Sequence, residues 1–193
     1  MKGVVLVSGH LVDAPDRPAP RFPPSRVEWV TERVRDALAG WRTGPGTTVI
    51  TGGARGADII AAEEGRARGA HVVLCLALPP REFERQSVEL PGTDWSRRFR
   101  ALLDVVEVRE LAAEVDDVPE GDEVFARTNA WMVELAKQLD DEPCAIVVWN
   151  GRTGDGPGGT SDMVARLGYD LDDPHVRVID PTPPEQEAGR SVG

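Results

Sequence analysis

Six short runs of branched apolar residues recur along the chain: 3–8 (GVVLVS), 47–51 (TTVIT), 71–78 (HVVLCLAL), 105–108 (VVEV), 144–149 (CAIVVW) and 176–179 (VRVI). Most are continuously apolar rather than alternating, the pattern of strands buried on both faces and therefore of a parallel sheet covered by helices. The run VVEV breaks the pattern with a charge and is expected at an edge.

Helical periodicity fills the intervals. Val27, Val30, Val34, Ala37, Leu38 and Trp41 recur three and four residues apart, with Ser25 placed as an N-cap. Residues 56–67 are alanine-rich and close at Gly69. Residues 94–103 and 160–167 suit shorter helices, and 123–139 align Val124, Thr128, Trp131, Leu135 and Leu139 on one face. Strands alternating with helices predict an α/β doubly wound, Rossmann-like fold: a mostly parallel sheet of about six strands with helices on both faces. One domain over 1–180 and a polar, proline-containing tail over 181–193 are expected. The proline-rich stretch 13–25 lies between the first strand and the first helix, so it reads as a long structured loop rather than a linker.

Composition narrows the function classes. Asp and Glu outnumber Lys and Arg by 33 to 22, a net charge of -11, which argues against general nucleic-acid binding. The charge is uneven: 110–123 carries seven acids and no base, whereas Arg17, Arg21, Arg26, Arg55, Arg81, Arg85, Arg97, Arg98 and Arg100 crowd particular segments. Such local arginines can hold a small anion on an acidic protein. No apolar run approaches the roughly 20 residues of a membrane helix, and the N-terminal apolar run is too short for a signal peptide; a cytoplasmic protein is expected. Cys75 and Cys144 lie within apolar runs and read as reduced core thiols. The three histidines form no Cys/His cluster, so neither a metal nor a cofactor is expected.

The chemistry is expected where open parallel sheets bind ligands, beyond the carboxyl ends of the strands. Three loops follow strands there: Ser8, Gly9 and His10; TGGARGAD over 51–58; and WNGRTGDGPGGTSD over 149–162. In the second, Gly52 and Gly53 open the backbone to close approach, Gly56 starts a helix whose free N–H groups favour an anion, and Arg55 supplies a bidentate cation. Asp58 either caps that helix or accepts from a ribose hydroxyl. In the third, Gly158, Gly159 and Thr160 repeat the arrangement, with Asp162 in the first helical turn. Arg127 and Asn129 sit on the 123–139 helix, where Arg127 shares a side with Trp131. His10 either faces the ligand as a base or donor or caps its loop. The loop over 13–25 is a candidate lid, with Arg17 and Arg21 adding charge and Phe22 placed to stack on a base, and 80–99 (PREFERQSVELPGTDWSRRF) is a second candidate wall.

In order, GGARGAD (52–58), ARTNAWM (126–132) and GPGGTSD (156–162) resemble the motifs of the SLOG superfamily of Rossmann-like domains. That group includes the cytokinin-activating phosphoribohydrolases (the lysine-decarboxylase-like proteins), the DNA-processing protein A family and ligand-sensing domains of bacterial defence systems. The resemblance covers about 3–180 in motif order. It implies a nucleotide-like small-molecule ligand, Arg127 as the helix arginine, Gly158, Gly159 and Thr160 as the phosphate loop, and Asp162 near the catalytic acid. It also raises a homodimer. The final loop departs from the family's PGGxGT by one residue, and aspartate stands for glutamate. Two functions follow from these expectations: hydrolysis of a nucleotide N-glycosidic bond with Asp162 and Arg127 as catalytic residues, or a non-catalytic nucleotide sensor or carrier in a bacterial defence or signalling system.

Overall fold

The computed structural model describes residues 3–152 and 160–182. Six strands, β1 (Val4–Gly9), β2 (Thr48–Thr51), β3 (His71–Leu76), β4 (Glu107–Glu110), β5 (Cys144–Val148) and β6 (Val176–Ile179), form one all-parallel sheet in the order β4-β3-β2-β1-β5-β6. The chain steps outward from β1 through β2 and β3 to β4, then returns to the other side of β1 for β5 and β6. The order therefore reverses between β1 and β5. Gly9 pairs in register with Val148 there, so these two strands end level.

Burial follows the apolar runs. The residues Val4–Val7, Val72–Leu76 and Ala145–Val148 are buried, as are Val49, Ile50 and Thr51. A parallel strand covered on both faces has no solvent side to carry polar residues. The edge strands differ: β4 is half-buried throughout, and β6 buries only its two end residues. Helices α1 (Val27–Gly40), α2 (Ala57–Ala67) and α4 (Trp95–Leu103) pack together on one face, and α6 (Glu123–Leu139) with α7 (Thr160–Leu167) covers the other. Gly65 lets α2 lie close on the sheet, since a methyl there would meet Val49 Cγ2 at 2.9 Å. The result is the α/β doubly wound, Rossmann-like architecture expected from the alternation of periods.

Local departures have local causes. The edge strand expected at 105–108 forms at 107–110, because Val105 and Val106 donate their N–H groups to Leu102 O and finish α4. At an edge, Glu107 keeps its charge through Arg109 Nε and through His71 Nε2 at 2.8 Å. Those partners hold the Glu107 carboxyl below its usual range, the Arg109 bond contributing most. Ser25 does not cap α1: it lies inside a 3-10 turn, Pro24–Arg26, and the helix starts after Arg26 without a side-chain cap. Three short segments have no clear periodicity in sequence: α3 (Pro80–Phe83), a π turn (Glu84–Val88) and α5 (Leu111–Glu114). The first two carry a wall of the site.

The loop over 13–25 folds on itself. Asp13 Oδ2 accepts the N–H groups of Arg21 and Phe22 at 2.8 and 2.9 Å, and Asp13 N–H returns a bond to Phe22 O. Arg17 Nε stands 3.3 Å from Asp13 Oδ1. Phe22 is fully buried. Its ring therefore belongs to the core and is not free to stack on a base, which corrects the lid reading at that residue.

Candidate functional site

A cavity of about 380 Å³ opens at the carboxyl edge of the sheet, beside the reversal between β1 and β5. Its base is the ends of three strands: Ser8 and Gly9 of β1, Gly52 after β2, and Cys75 with Ala77 at β3. One wall is α6, through Phe125, Thr128, Asn129 and Met132, with Asp122 at its start. The opposite wall is Phe83, Gln86 and Ser87 of α3 and the π turn, and His10 and Thr160 close the end nearest β5.

Gly9 is fixed by packing: a Cβ there would lie 2.6 Å from both Ala57 Cβ and Val148 Cβ. Bare backbone consequently faces the cavity where α2, β1 and β5 meet. Gly52 acts differently, since a Cβ would come 3.0 Å from Asp58 Oδ2; its missing side chain leaves room beside that carboxylate.

Asp58 is 8% exposed and lines the cavity. Oδ2 accepts the Ala54 N–H at 3.1 Å, while Oδ1 has no hydrogen-bond partner among the described atoms. The Thr51 hydroxyl lies near but makes no well-formed bond. Burial pushes the Asp58 carboxyl up to about 7, against the smaller opposing pull of the Ala54 amide and the Thr51 hydroxyl. A carboxyl in this state holds or releases a proton near neutrality.

His10 is 2% exposed. Its Nε2 stands 3.0 Å from Asn150 Oδ1, and its Nδ1 stands 3.5 Å from Thr160 Oγ1. Burial lowers its pKa, with Arg21 and Arg17 adding to the effect and the Asn150 bond and Asp13 opposing it. The imidazole is thus held toward its neutral form. Asn129 reaches from α6 to Asp162 Oδ2 at 3.2 Å. Cys75 is buried, and its thiol is pushed up to about 12, so it is a poor nucleophile.

The expected site residues divide into two groups. Ser8, Gly9, His10, Gly52, Asp58, Asn129 and Thr160 are brought together around the cavity. Gly53, Arg55, Gly56, Arg127 and Asp162 do not line it. Gly53 turns into the core, where a Cβ would lie 3.1 Å from Leu76 Cδ2. Gly56, at φ 103°, lies against the chain after β1, with a would-be Cβ 2.9 Å from His10 O. Arg55 donates from Nε to Val12 O at 3.0 Å, and its own N–H bonds Ser87 O. It ties two loops together, and burial lowers its pKa. Arg127 pairs with Glu134 at 3.5 Å. Asp162 accepts from Arg166 Nε at 2.8 Å as well as from Asn129. Gly158 and Gly159 lie outside the described residues.

Phe83, Gln86 and Ser87 lie within 80–99, expected only as a second candidate wall with no residue singled out, because they stand on short segments without periodicity; Asn150 is one polar residue at a strand end. Its partner His10 is 140 positions away. Among the described lining residues there is neither lysine nor arginine; the ionisable side chains are Asp58, Asp122, His10 and Cys75. Among the described residues no group of three or more His, Cys, Asp or Glu is placed to hold a metal, and no helix is long and apolar enough to cross a membrane. No family model matches the chain, and no curated protein matches it.

Proposed function

We propose that this cavity binds a nucleotide or a nucleotide-derived small molecule. The observation that carries the reading is the convergence of Gly9, Gly52, Asp58, Asn129 and Thr160, from four separate stretches of chain, on one hollow at the reversal of strand order. Such crevices are the usual ligand sites of open α/β sheets, and about 380 Å³ lies in the range of small-molecule pockets. The resemblance to SLOG domains in motif order adds the nucleotide. Asp58 and Asn129 supply acceptors and donors suited to base or ribose edges, and Phe125 and Met132 supply apolar surface.

The sensor or carrier reading is favoured over cleavage by Asp162 and Arg127. Both stand outside the lining, and each is already paired, Asp162 with Asn129 and Arg166, Arg127 with Glu134. Native mass spectrometry of freshly purified protein and thermal-shift titration with AMP, GMP, CMP, UMP and NAD test the binding. At least one compound is expected to raise the melting temperature, with the gain reduced in Gly52→Ala and Asn129→Leu. Release of free base during long incubation would restore the hydrolase. No shift with any of the five, and no copurified ligand, would end the nucleotide reading.

A further inference from the structure

At the β1–β5–α7 corner of the cavity three side chains from distant positions stand in line: Asn150, His10 and Thr160. The shortest contacts define one order of donation. Asn150 Oδ1 accepts the Arg152 N–H at 3.2 Å, which identifies it as the amide oxygen, because the amide nitrogen cannot accept. The same oxygen faces His10 Nε2 at 3.0 Å, the shorter contact and one that pairs when Nε2 carries the hydrogen. The Asn150 N–H donates to Nε2 at 3.5 Å, a longer contact that belongs to the other tautomer. A neutral imidazole protonated at Nε2 presents a lone pair at Nδ1, and that atom faces Thr160 Oγ1 at 3.5 Å. The ring is held further by the His10 N–H on Val148 O at 2.9 Å. A hydroxyl, a base and a group that orients the base, in that sequence, define an activated nucleophile, and such contacts are commonly loose before substrate arrives.

We propose that Thr160, His10 and Asn150 act as nucleophile, general base and positioning residue, and that the cavity accepts an activated acyl compound, an ester or thioester, as substrate. Thr160 Oγ1 adds to the carbonyl carbon while its proton passes to His10 Nδ1. The bond to the leaving alcohol or thiol then breaks, and the leaving group takes that proton. Water, activated by the same nitrogen, cleaves the acyl-threonine, giving a carboxylic acid and restoring the hydroxyl. α7 begins at Thr160, and the first-turn N–H groups of a helix lack intrahelical acceptors, which suits them to a developing oxyanion. Acyl chemistry fits better than phosphoryl transfer, because cations stabilise a transferring phosphoryl group and none is among the described lining residues. Burial keeps His10 toward its neutral, proton-accepting form. The inference rests on the cavity and not on its ligand being a nucleotide.

The full chain is treated with p-nitrophenyl acetate and, separately, with a fluorophosphonate probe, and the labelled peptide is identified by mass spectrometry. Label on Thr160 with release of p-nitrophenolate is expected. Thr160→Val abolishes both, Thr160→Ser retains both, and His10→Gln slows both by roughly 100-fold or more. Asn150→Ala, by freeing the ring, lowers the rate and shifts the midpoint of its pH profile. Unlabelled Thr160 in folded wild-type protein overturns the proposal, as does equal labelling in His10→Gln. Protein that binds a nucleotide while Thr160 stays unlabelled keeps the binding reading and loses this one.

Discussion

The junction between β2 and α2 and the corner between β1, β5 and α7 are both strand-to-helix turns at the same edge of the sheet, yet their polar groups are used differently. At the first, the conspicuous residues serve the fold: Gly53 turns into the core, Gly56 admits the chain after β1, and Arg55 ties Val12 to the segment around Ser87. Gly52 and Asp58 face the hollow from that junction. At the second, the conspicuous polar residues do the reverse. His10 and Thr160 turn polar atoms to the cavity, and Asn150 orients the imidazole. A glycine-rich turn with an arginine is therefore ambiguous: the flexibility that admits a ligand also admits another part of the same chain.

The contrast can be broken most directly at Gly56. A methyl at φ 103° would press on His10 O at 2.9 Å and Val12 N at 3.0 Å, both backbone. Gly56→Ala should cost roughly 4 kcal/mol or more, the sum of backbone strain and overpacking, read as a fall in denaturant midpoint. An unchanged midpoint would show that the junction is not held as described.

Asp58→Asn tests the junction's cavity-facing acid. The Asp58 pKa is raised to about 7 in the folded protein, so its contribution is fully present below the ordinary value of 3.8. It declines as pH rises from there to about 7 and is gone above. Asparagine does not titrate. The variant should gain on the wild type between pH 4.5 and 7 and then hold a constant difference, at most roughly 4 kcal/mol. Unfolding at pH 4.5, 6 and 8 measures it, and a pH-independent difference would remove Asp58 as a group titrating near neutrality.

Arg55→Met sharpens the division between strut and clamp. Loss of the bond to Val12 O should cost about 1–2 kcal/mol of stability while leaving any nucleotide-induced thermal shift in place. A shift abolished with stability intact would return Arg55 to the ligand. The smallest effect concerns the cysteines. In native protein at pH 8, iodoacetamide should modify half-buried Cys144 before Cys75, whose thiol is pushed up to about 12. A compound that occupies the cavity should slow Cys75 further, since Cys75 lines it.

Much of the fold was legible because period alone reports how many faces of an element meet the core. The runs around Leu6, Ile50, Leu74 and Ile146 are apolar on both faces and became central strands. The helix over 123–139 starts and stops where its pattern does. The segment at 105–108 was misplaced because an edge strand needs only half its surface apolar, and charged pairs can supply the rest. About half of the expected site residues reached the cavity. Those that did not, such as Arg127 and Asp162, found charged partners a few residues away on their own helices.

What the order of residues determined by itself was the set of local elements, their alternation and the loops at the carboxyl edge, since each depends on interactions between near neighbours in the chain. Which polar atoms face the hollow was decided only by tertiary structure. Arg55 could be read as a clamp until Val12 O, 43 positions away, came within 3.0 Å. The group facing His10 Nε2 was not legible until Asn150, 140 positions away, came within 3.0 Å. A polar side chain takes the best-placed partner in space, and in a parallel sheet that partner comes from a strand or loop far along the chain.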